Sequence, residues 1–318
     1  MPATVRASAP LRMPAKIAAG NLTRDLDLGH DELLSLLELA RSVKSNPARY
    51  AKALSGRYLA LLFEKPSLRT RLTFELAIKQ LGGDAVAVDG PIGAREPIKD
   101  VARNLARWTN GIVARTFSQQ TIDALAEWAG VPVINALSDL YHPCQALADM
   151  LTLEEQFGDL RGRKLAFVGD GNNVAHSLML CAARLGLDFA LASPQGYGPD
   201  AGIVQQAQAL AMASGSVITI TTDPFLEAVA GAHAVYTDVW ASMGQEGDRT
   251  RRLADFAGHQ VNEALFAQAR PGAIFMHCLP AKRGEEVTDA VIESERSVVF
   301  DQAENRLHVQ KALLLMLL

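Results

Sequence analysis

Signals for β-strands and α-helices alternate along this 318-residue chain, and the alternating pattern occurs twice. The first run of predicted strands comprises Tyr58–Phe63, Ala85–Val88, Gly111–Ala114 and Pro132–Asn135. The second run comprises Lys164–Val168, Asp188–Ser193, Val217–Thr221, Ala234–Thr237, Ala273–Met276 and Val298–Phe300. Strands that alternate with helices form parallel sheets with both faces covered. The sequence therefore predicts an α/β fold with two doubly wound parallel-sheet domains.

Predicted helices separate these strands and also connect the two halves of the chain. The helices outside the connection are Asp31–Ser45, Thr70–Leu81, Pro97–Arg107, Ile122–Ala129, Ala175–Leu185 and Gly202–Ser214. Cys144–Phe157 lies between the two runs and is expected to bridge them, and Asn305–Leu318 closes the chain as a helix. In such folds ligands bind beyond the carboxyl ends of the strands, so residues that follow strands are the candidates for a functional site.

Composition narrows the class of protein. A hydrophobic content of 49% and a charged content of 21% are ordinary for a globular enzyme. The net charge of −4 gives no reason to expect nucleic acid or an anionic membrane as a partner. No apolar run approaches the roughly 20 residues of a membrane span. The 3 cysteines lack the C-x-x-C spacing of a structural zinc site and indicate reduced thiols, which favours the cytoplasm.

The first 24 residues contain no acidic residue and carry several basic ones, a composition that an organelle transit peptide also has. Pro2, Pro10 and Pro14 count against the amphipathic helix that such a peptide needs. We therefore expect a short disordered lead-in and a cytoplasmic protein, with a mitochondrial or plastid location as the alternative.

Ser67–Arg71 places two hydroxyls and two guanidiniums at the predicted start of a helix, shortly after the strand Tyr58–Phe63. A helix start exposes free backbone N–H groups and carries the positive end of the helix dipole. Together with hydroxyls and guanidiniums, these groups predict a cradle for a phosphate. The alternative is an N-cap serine beside solvated arginines, although cations this close repel one another unless an anion lies between them.

Polar residues also follow the next strands of the first half. Arg115 comes after Gly111–Ala114, where it either needs an anion partner or extends into solvent. His142 and Gln145 follow the strand at Pro132–Asn135 and are three residues apart at a predicted helix start, so both side chains are expected near the same helix mouth. An imidazole and an amide suit a carbonyl or phosphoryl oxygen, although a lone histidine at a helix start is more often a cap.

The second half begins with a glycine-bearing turn that resembles a dinucleotide-binding motif. Gly169 and Gly171 fit the pattern, but Val174 replaces its third glycine and no acidic residue ends the next strand. An oxidoreductase that binds a dinucleotide is therefore disfavoured. Asn172 and Asn173 are expected instead to offer amides to a small carboxylate.

Three further candidates lie later in the chain. Asp238 follows the strand Ala234–Thr237, where it either pairs with a cationic amine or caps a short helix. Cys278 follows Ala273–Met276 and is either a functional thiol or a buried structural cysteine. Arg306 opens the last helix as a further anion ligand. The sequence offers no cluster of metal ligands.

Five segments in this order resemble motifs of the aspartate/ornithine carbamoyltransferase family, and of its ornithine branch in particular. They are Phe63–Arg71, Arg115, His142 with Gln145, Asp238 with Ser242–Gly244, and His277–Pro280. The resemblance covers the chain from about residue 31 to its end. It implies two α/β domains joined by two interdomain helices. It also implies a homotrimer, or a multiple of trimers, with active sites between subunits.

The resemblance implies transfer of the carbamoyl group of carbamoyl phosphate to the δ-amine of L-ornithine, which gives L-citrulline and phosphate without a cofactor or metal. The implied carbamoyl phosphate ligands are Ser67, Leu68 (through its backbone N–H), Arg69, Thr70, Arg115, His142, Gln145, Cys278, Leu279 and Arg306. The implied ornithine ligands are Asn173, Asp238, Ser242 and Met243. The implied catalytic residues are Arg115, His142, Asp238, Cys278 and Arg306.

The implied domains are 1–138, completed by the C-terminal helix 303–318, for carbamoyl phosphate, and 139–302 for ornithine. Pro91 departs from the family, which often has Gln or His there reaching into the neighbouring subunit's site. Transfer to an N-acylated ornithine or to putrescine is an alternative within the family, and a ligand sensor without catalysis is an alternative on the same fold.

Overall fold

The structure is a computed structural model that describes residues 14–241 and 246–318, and within them the chain forms two parallel β-sheets. The first sheet consists of β1 (Tyr58–Phe63), β2 (Asp84–Asp89), β3 (Gly111–Arg115) and β4 (Val133–Leu137), in the order β2-β1-β3-β4. The second consists of β5 (Lys164–Val168), β6 (Asp188–Ala192), β7 (Ile218–Thr221), β8 (Ala234–Thr237) and β9 (Ile274–His277), in the order β7-β6-β5-β8-β9. Helices cover both sheets, so the predicted α/β fold with two parallel-sheet domains is confirmed.

Helices connect consecutive strands in both domains. In the first half they are α1 (His30–Ser45), α2 (Pro47–Tyr50), α3 (Leu68–Gln80), α4 (Ile98–Trp108), α5 (Gln119–Ala129) and α6 (Pro143–Phe157). In the second half they are α7 (Asn173–Leu185), α8 (Ala201–Ser214), α9 (Arg249–Asp255), α10 (Glu263–Phe266), α11 (Asp289–Ile292) and α12 (Val299–Leu317). Short 3₁₀ turns lie at Asp25–Asp27, Glu246–Asp248 and Ala257–His259, and a π-turn lies at Pro224–Val229.

The register of the first sheet brings three loops to one edge. In β1, Phe63 pairs with Asp89 of β2 on one side and with Arg115 of β3 on the other. Because these strands are parallel, the segments that follow them all leave at the same, carboxyl edge. The second sheet places the carboxyl ends of β8 and β9 side by side, where Thr237 pairs with His277.

Helices α6 and α12 join the two domains. They pack against each other, α6 also packs against α7, and α12 also packs against α1 and α3. Every residue of α6 from Pro143 to Leu153 is buried. A helix that is covered on all sides lies within a core rather than on a surface. The two helices therefore form the connection expected between the sheets.

The prediction of a strand at Val298–Phe300 is wrong, because α12 begins at Val299 and runs to Leu317. Val299 is 1% exposed and packs in a core cluster, whereas Phe300 is 70% exposed. A short apolar run with β-branched residues does not distinguish a strand from the first turn of a buried helix. The predicted start of the last helix at Asn305 was consequently too late. Among the described residues, no helix has both the length and the apolar content that crossing a membrane requires.

Candidate active site

A cavity of about 480 Å³ lies where the carboxyl ends of the two sheets face each other. Every predicted site residue that the structure describes lines it: Ser67, Leu68, Arg69, Thr70, Arg115, His142, Gln145, Asn173, Asp238, Cys278, Leu279 and Arg306. Ser242 and Met243 lie outside the described residues. The structure thus brings together in one cavity side chains from both halves of the chain.

The first end of the cavity is formed by the start of α3. Ser67 is the N-cap residue, and its hydroxyl accepts a hydrogen bond from the Thr70 backbone N–H at 3.3 Å. Leu68 is 72% exposed, so its side chain makes little contact with the rest of the protein. Its backbone N–H is one of those that a helix start leaves without an intrahelical acceptor. These groups and the helix dipole make this end of the cavity suited to an anion.

Arginines surround this helix start. Arg306 is buried and donates from Nη2 to the Thr70 hydroxyl at 2.7 Å. The Nε atoms of Arg306 and Arg115 are buried and have no hydrogen-bond partner among the described residues. Within the same residues, neither these two arginines nor Arg69 forms a salt bridge. Three guanidiniums are therefore gathered without a carboxylate in direct ion-pair contact among the described residues.

The pKa values of the three arginines reflect their burial and their mutual repulsion. Burial, followed by the charge of Arg306, lowers the pKa of Arg115 to about 10, and Arg69 acts in the same direction. Burial also lowers the pKa of Arg69 and of Arg306. All three remain protonated at neutral pH, so the cavity holds concentrated positive charge. Arg71, in contrast, pairs with Asp89 at 2.6 Å at the protein surface and does not line the cavity.

His142 and Gln145 lie at the start of α6, next to the arginines. Burial, together with the charges of Arg306 and Arg115, holds the pKa of His142 well below its ordinary value, so the imidazole is neutral at pH 7. Its backbone N–H donates to the Ser177 hydroxyl at 2.9 Å, and its Nδ1 has no partner among the described residues. Gln145 donates from Nε2 to Asp149 at 2.9 Å, while its buried Oε1 has no partner there. Both residues retain unused polar atoms for a ligand.

The second end of the cavity is centred on Asp238, which follows β8 and is 8% exposed. Its carboxylate accepts hydrogen bonds from Asn172 Nδ2 at 2.9 Å, from Cys278 Sγ at 3.1 Å and from the Val239 backbone N–H at 2.8 Å. Burial and the Asp238 charge raise the pKa of the Cys278 thiol well above its ordinary value. Cys278 is therefore a protonated thiol that donates to Asp238, and not a thiolate nucleophile.

The two asparagines at the start of α7 have separate roles. Asn173 lines the cavity and donates from Nδ2 to the Ser138 carbonyl at 2.6 Å. Asn172 caps α7 by accepting from two backbone N–H groups, and its Nδ2 holds Asp238. The sequence pattern suggested that both amides serve a ligand. The contact of Asn172 with Asp238 spans 66 residues and carries no local signal.

Sequence reasoning also missed residues that surround the site. Lys65 lines the cavity two residues before Ser67, with its ammonium 4.5 Å from the centre of the Phe117 ring. Asp149 follows Gln145 by four residues, a helical spacing that brings side chains together and could have indicated their contact.

One group of side chains near the second end has the spacing of metal ligands. Ligand atoms of Asp238, His277 and Cys278 lie within 4.8 Å of one another. All three residues are engaged within the protein, because the thiol donates to Asp238 and the two nitrogens of His277 bond to the Leu279 N–H and to Glu286. The residues could hold an ion only after these hydrogen bonds are broken.

The fold and the cavity define a two-domain α/β protein whose cavity has a cationic end and an end centred on a buried carboxylate. The family model for the carbamoyl-P binding domain of aspartate/ornithine carbamoyltransferases matches residues 21–155, and the model for the Asp/Orn binding domain matches residues 161–317. The chain belongs to the aspartate/ornithine carbamoyltransferase family, and the resemblance seen in the sequence is confirmed.

Individual relatives agree with this assignment. The chain is 52% identical to the ornithine carbamoyltransferase of Anoxybacillus flavithermus over 298 residues, which cover 92% of this chain and 94% of that protein. It is 54% identical to the Thermus thermophilus ornithine carbamoyltransferase over 293 residues, with coverage of 91% and 94%. The solved structure of the Pyrococcus furiosus ornithine carbamoyltransferase superimposes with a TM-score of 0.91 at 46% identity, covering 95% of this chain and 97% of that one.

Proposed function

We propose that this protein transfers the carbamoyl group of carbamoyl phosphate to the δ-amine of L-ornithine and releases L-citrulline and phosphate. The observation that carries the proposal is the cavity itself, in which three guanidiniums lie near a helix start and a buried carboxylate lies close by. The first group suits a phosphorylated substrate, and the second suits a substrate with an amine. The names of the relatives agree with this pair of substrates.

The phosphate group of carbamoyl phosphate binds at the start of α3 in this proposal. Ser67, Thr70, Arg69 and the Leu68 N–H contact its oxygens, and Arg115 bridges the phosphate and the carbamoyl oxygen. A phosphate dianion relieves the repulsion among the arginines, which supports its placement there. As the bond to the carbamoyl carbon breaks, the same cations stabilise the charge that develops on the leaving phosphate.

The carbamoyl group lies between α6 and the segment after β9. His142 is neutral and can donate a hydrogen bond to the carbonyl oxygen without adding a further positive charge to the cluster. Arg306 assists as negative charge develops on that oxygen. Gln145 Oε1 and the Leu279 carbonyl accept hydrogen bonds from the carbamoyl NH2, so the carbonyl carbon faces the second end of the cavity.

Ornithine occupies the end formed by Asp238, with its carboxylate at Asn173. Asp238 pairs with the α-ammonium, with Ser242 and Met243 as the partners that the family resemblance implies, and Asp238 and Cys278 orient the δ-amine. The lone pair of the δ-nitrogen attacks the carbonyl carbon, the carbon–oxygen bond to phosphate breaks, and the nitrogen loses a proton. The nucleophile belongs to the substrate, so the step needs no covalent enzyme intermediate and no cofactor, and catalysis comes from positioning and charge stabilisation.

Citrulline formation from carbamoyl phosphate tests the proposal directly. The acceptors to compare are L-ornithine, N-acetylornithine, putrescine and L-aspartate, assayed at equal carbamoyl phosphate concentration. We expect the highest kcat/KM with L-ornithine, because N-acetylornithine lacks the α-ammonium that pairs with Asp238 and putrescine lacks the carboxylate that binds at Asn173. A higher kcat/KM with N-acetylornithine or putrescine would transfer the assignment to one of those alternatives. The absence of any carbamoylated product would favour a sensor.

We also infer that the protein is a homotrimer or a multiple of trimers. Val86 and Val88 on the edge strand β2 are 64% and 53% exposed, and Leu72 and Leu76 of the adjacent α3 are also exposed. Apolar residues that cluster on a surface commonly mark protein contacts. Analytical ultracentrifugation tests the assembly, with a mass of three chains or a multiple of three expected. A monomer or dimer would contradict it.

The domain boundaries and the location of the protein are further proposals. We infer that 1–138 together with 303–318 binds carbamoyl phosphate and that 139–302 binds ornithine. The packing of α12 against α1 and α3 supports assigning the C-terminal helix to the first domain. The cysteines Cys144, Cys181 and Cys278 are all free thiols, which supports the cytoplasm as the site of action.

A further inference from the structure

A buried carboxylate, Asp149 of α6, lies behind Gln145 and has no solvent exposure. Its Oδ1 accepts hydrogen bonds from Gln145 Nε2 and Gln302 Nε2, both at 2.9 Å. Its Oδ2 accepts from the Tyr236 hydroxyl at 3.1 Å. Asp149 does not line the cavity, and neither the phosphate contacts nor the amine contacts described above use it.

The chemistry of these contacts fixes which atoms face Asp149. Burial raises the pKa of Asp149 to about 6, and the three hydrogen bonds oppose the rise, so the carboxylate is ionised at neutral pH. An ionised carboxylate only accepts hydrogen bonds. Burial also raises the pKa of Tyr236 well above its ordinary value, so its hydroxyl is available as a donor. Each glutamine must therefore turn its NH2 towards Asp149.

Turning the NH2 towards Asp149 leaves the oxygen of each amide on the other side. Gln302 Oε1 accepts from the His277 backbone N–H at 2.9 Å and thereby holds the end of β9, directly before Cys278. Gln145 Oε1 is buried, has no partner among the described residues and belongs to a residue that lines the cavity. In a glutamine without such a neighbour, either the oxygen or the NH2 could face the cavity.

We propose that Asp149 is a positioning residue that makes Gln145 present an acceptor to the cavity, and so determines that the site selects a carbamoyl group over an acetyl group. The inference rests on the proposed function, because it concerns the NH2 of carbamoyl phosphate. An acetyl group has the same shape but carries a methyl in place of the NH2. Only the NH2 can donate to Gln145 Oε1, and a methyl group leaves that buried oxygen without a partner, which costs binding.

Two stable phosphonates that differ in this one group provide the test. Phosphonoacetamide carries a terminal NH2, and 2-oxopropylphosphonate carries a methyl at the same place. Calorimetry on the wild-type protein should give a preference for the amide of about tenfold, the size of effect that one unmade buried hydrogen bond produces. A wild type that binds neither compound would refute the proposed function. A wild type that binds both equally would refute only the present inference.

Variants at Asp149 separate its acceptor role from a merely structural one. Asp149→Leu removes both acceptor oxygens and should reduce the preference to about one, because nothing then holds the orientation of Gln145. Asp149→Asn keeps one oxygen for the two glutamines and should retain the preference. Asp149→Leu combined with Gln145→Glu should restore it, because a carboxylate has an oxygen on whichever side faces the ligand.

The outcomes are distinct. A full amide preference in Asp149→Leu, or no recovery in the double variant, would overturn the inference. Asp25→Leu is a matched control, because it removes another buried carboxylate that contacts Ser177 and Cys181 rather than a glutamine, and it should leave the preference unchanged. If Asp149→Leu does not fold, a neutron structure of the wild type locates the Nε2 deuterons of Gln145. Deuterons directed at Asp149 support the inference, and deuterons directed into the cavity refute it.

Discussion

Replacing Arg115 by methionine should have opposite effects on the ligand-free and the ligand-bound protein. The pKa of Arg115 is lowered to about 10, chiefly by burial and the charge of Arg306. The ordinary value for arginine is about 12.5, and each pKa unit corresponds to about 1.36 kcal/mol, so holding the charge costs the folded protein about 3 kcal/mol. Because the folded-state pKa is lowered, this cost is fully present below about pH 10 and is lost as the pH rises above that value.

The expected result at neutral pH follows from the direction of the Arg115 pKa shift. Methionine has a similar length and no charge, so the free energy of unfolding of ligand-free Arg115→Met should rise by up to about 3 kcal/mol. The affinity for carbamoyl phosphate or phosphonoacetamide should fall by roughly a hundredfold, because charge-assisted phosphate contacts of about 1.5–3 kcal/mol each are lost. Urea denaturation with and without phosphonoacetamide measures the first effect, and calorimetry measures the second.

Arg252→Met is the matched control. Arg252 is also buried, but it pairs with Asp170 at 2.8 Å and donates to the Trp240 carbonyl at 2.7 Å. Its removal leaves a buried carboxylate unpaired, so it should destabilise the protein by about 3–5 kcal/mol. All measurements use one protein concentration, since assembly contributes to stability. An Arg115→Met protein that is less stable without ligand and binds phosphonoacetamide normally would refute the view that the arginines are held close together to bind an anion.

Four further predictions concern the ornithine end of the cavity and the neighbouring subunit. Asp238→Asn should raise the KM for ornithine by about tenfold or more, because one charge-assisted contact with the α-ammonium is lost. Calorimetry should show little change in carbamoyl phosphate affinity, and normal ornithine kinetics would contradict the role of Asp238. In the wild type, kcat/KM for ornithine should rise from about pH 6 to beyond about pH 8, because the fraction of neutral δ-amine grows and the raised pKa of Cys278 keeps its thiol protonated throughout. Cys278→Ala should weaken ornithine binding without greatly changing carbamoyl phosphate affinity, and full activity together with a flat pH profile would refute this mechanism. Pro91→Gln should leave carbamoyl phosphate affinity unchanged or higher, and a large loss in a direct binding assay would show that Pro91 itself shapes the site.

The fold could be predicted from the sequence where strands have clear limits. Tyr58–Phe63, Lys164–Val168 and Ala234–Thr237 are strands with the predicted bounds. Each is a short apolar run bounded by polar or turn residues, which is the pattern of a buried parallel strand. Val298–Phe300 has the same apolar character but forms the N-cap and the first turn of the long helix α12, and tertiary packing rather than local pattern decides its state. The short helices α2, α10 and α11 are too short to show a helical period.

The residues that line the cavity could be predicted because parallel strands end at one edge of a sheet. The contacts that these residues make with one another could not be predicted. The bond from Arg306 to Thr70 joins residues 236 apart, and that from Asn172 to Asp238 joins residues 66 apart. Both depend on how segments distant in the sequence pack within a domain: α12 lies against α3, and the start of α7 lies beside the segment after β8. The pairing of Arg71 with Asp89 likewise depends on the register of β1 and β2 and could not be read from Ser67–Arg71 alone.

A crystal structure of the protein with bound phosphonoacetamide tests the central claim most directly. We expect the phosphonate at the start of α3, within hydrogen-bond distance of Ser67, Arg69 and Arg115, with the terminal NH2 at Gln145 Oε1. A phosphonate bound instead at the start of α7, where Gly171 and the asparagines form a glycine-bearing turn, would contradict the assignment of the two ends of the cavity.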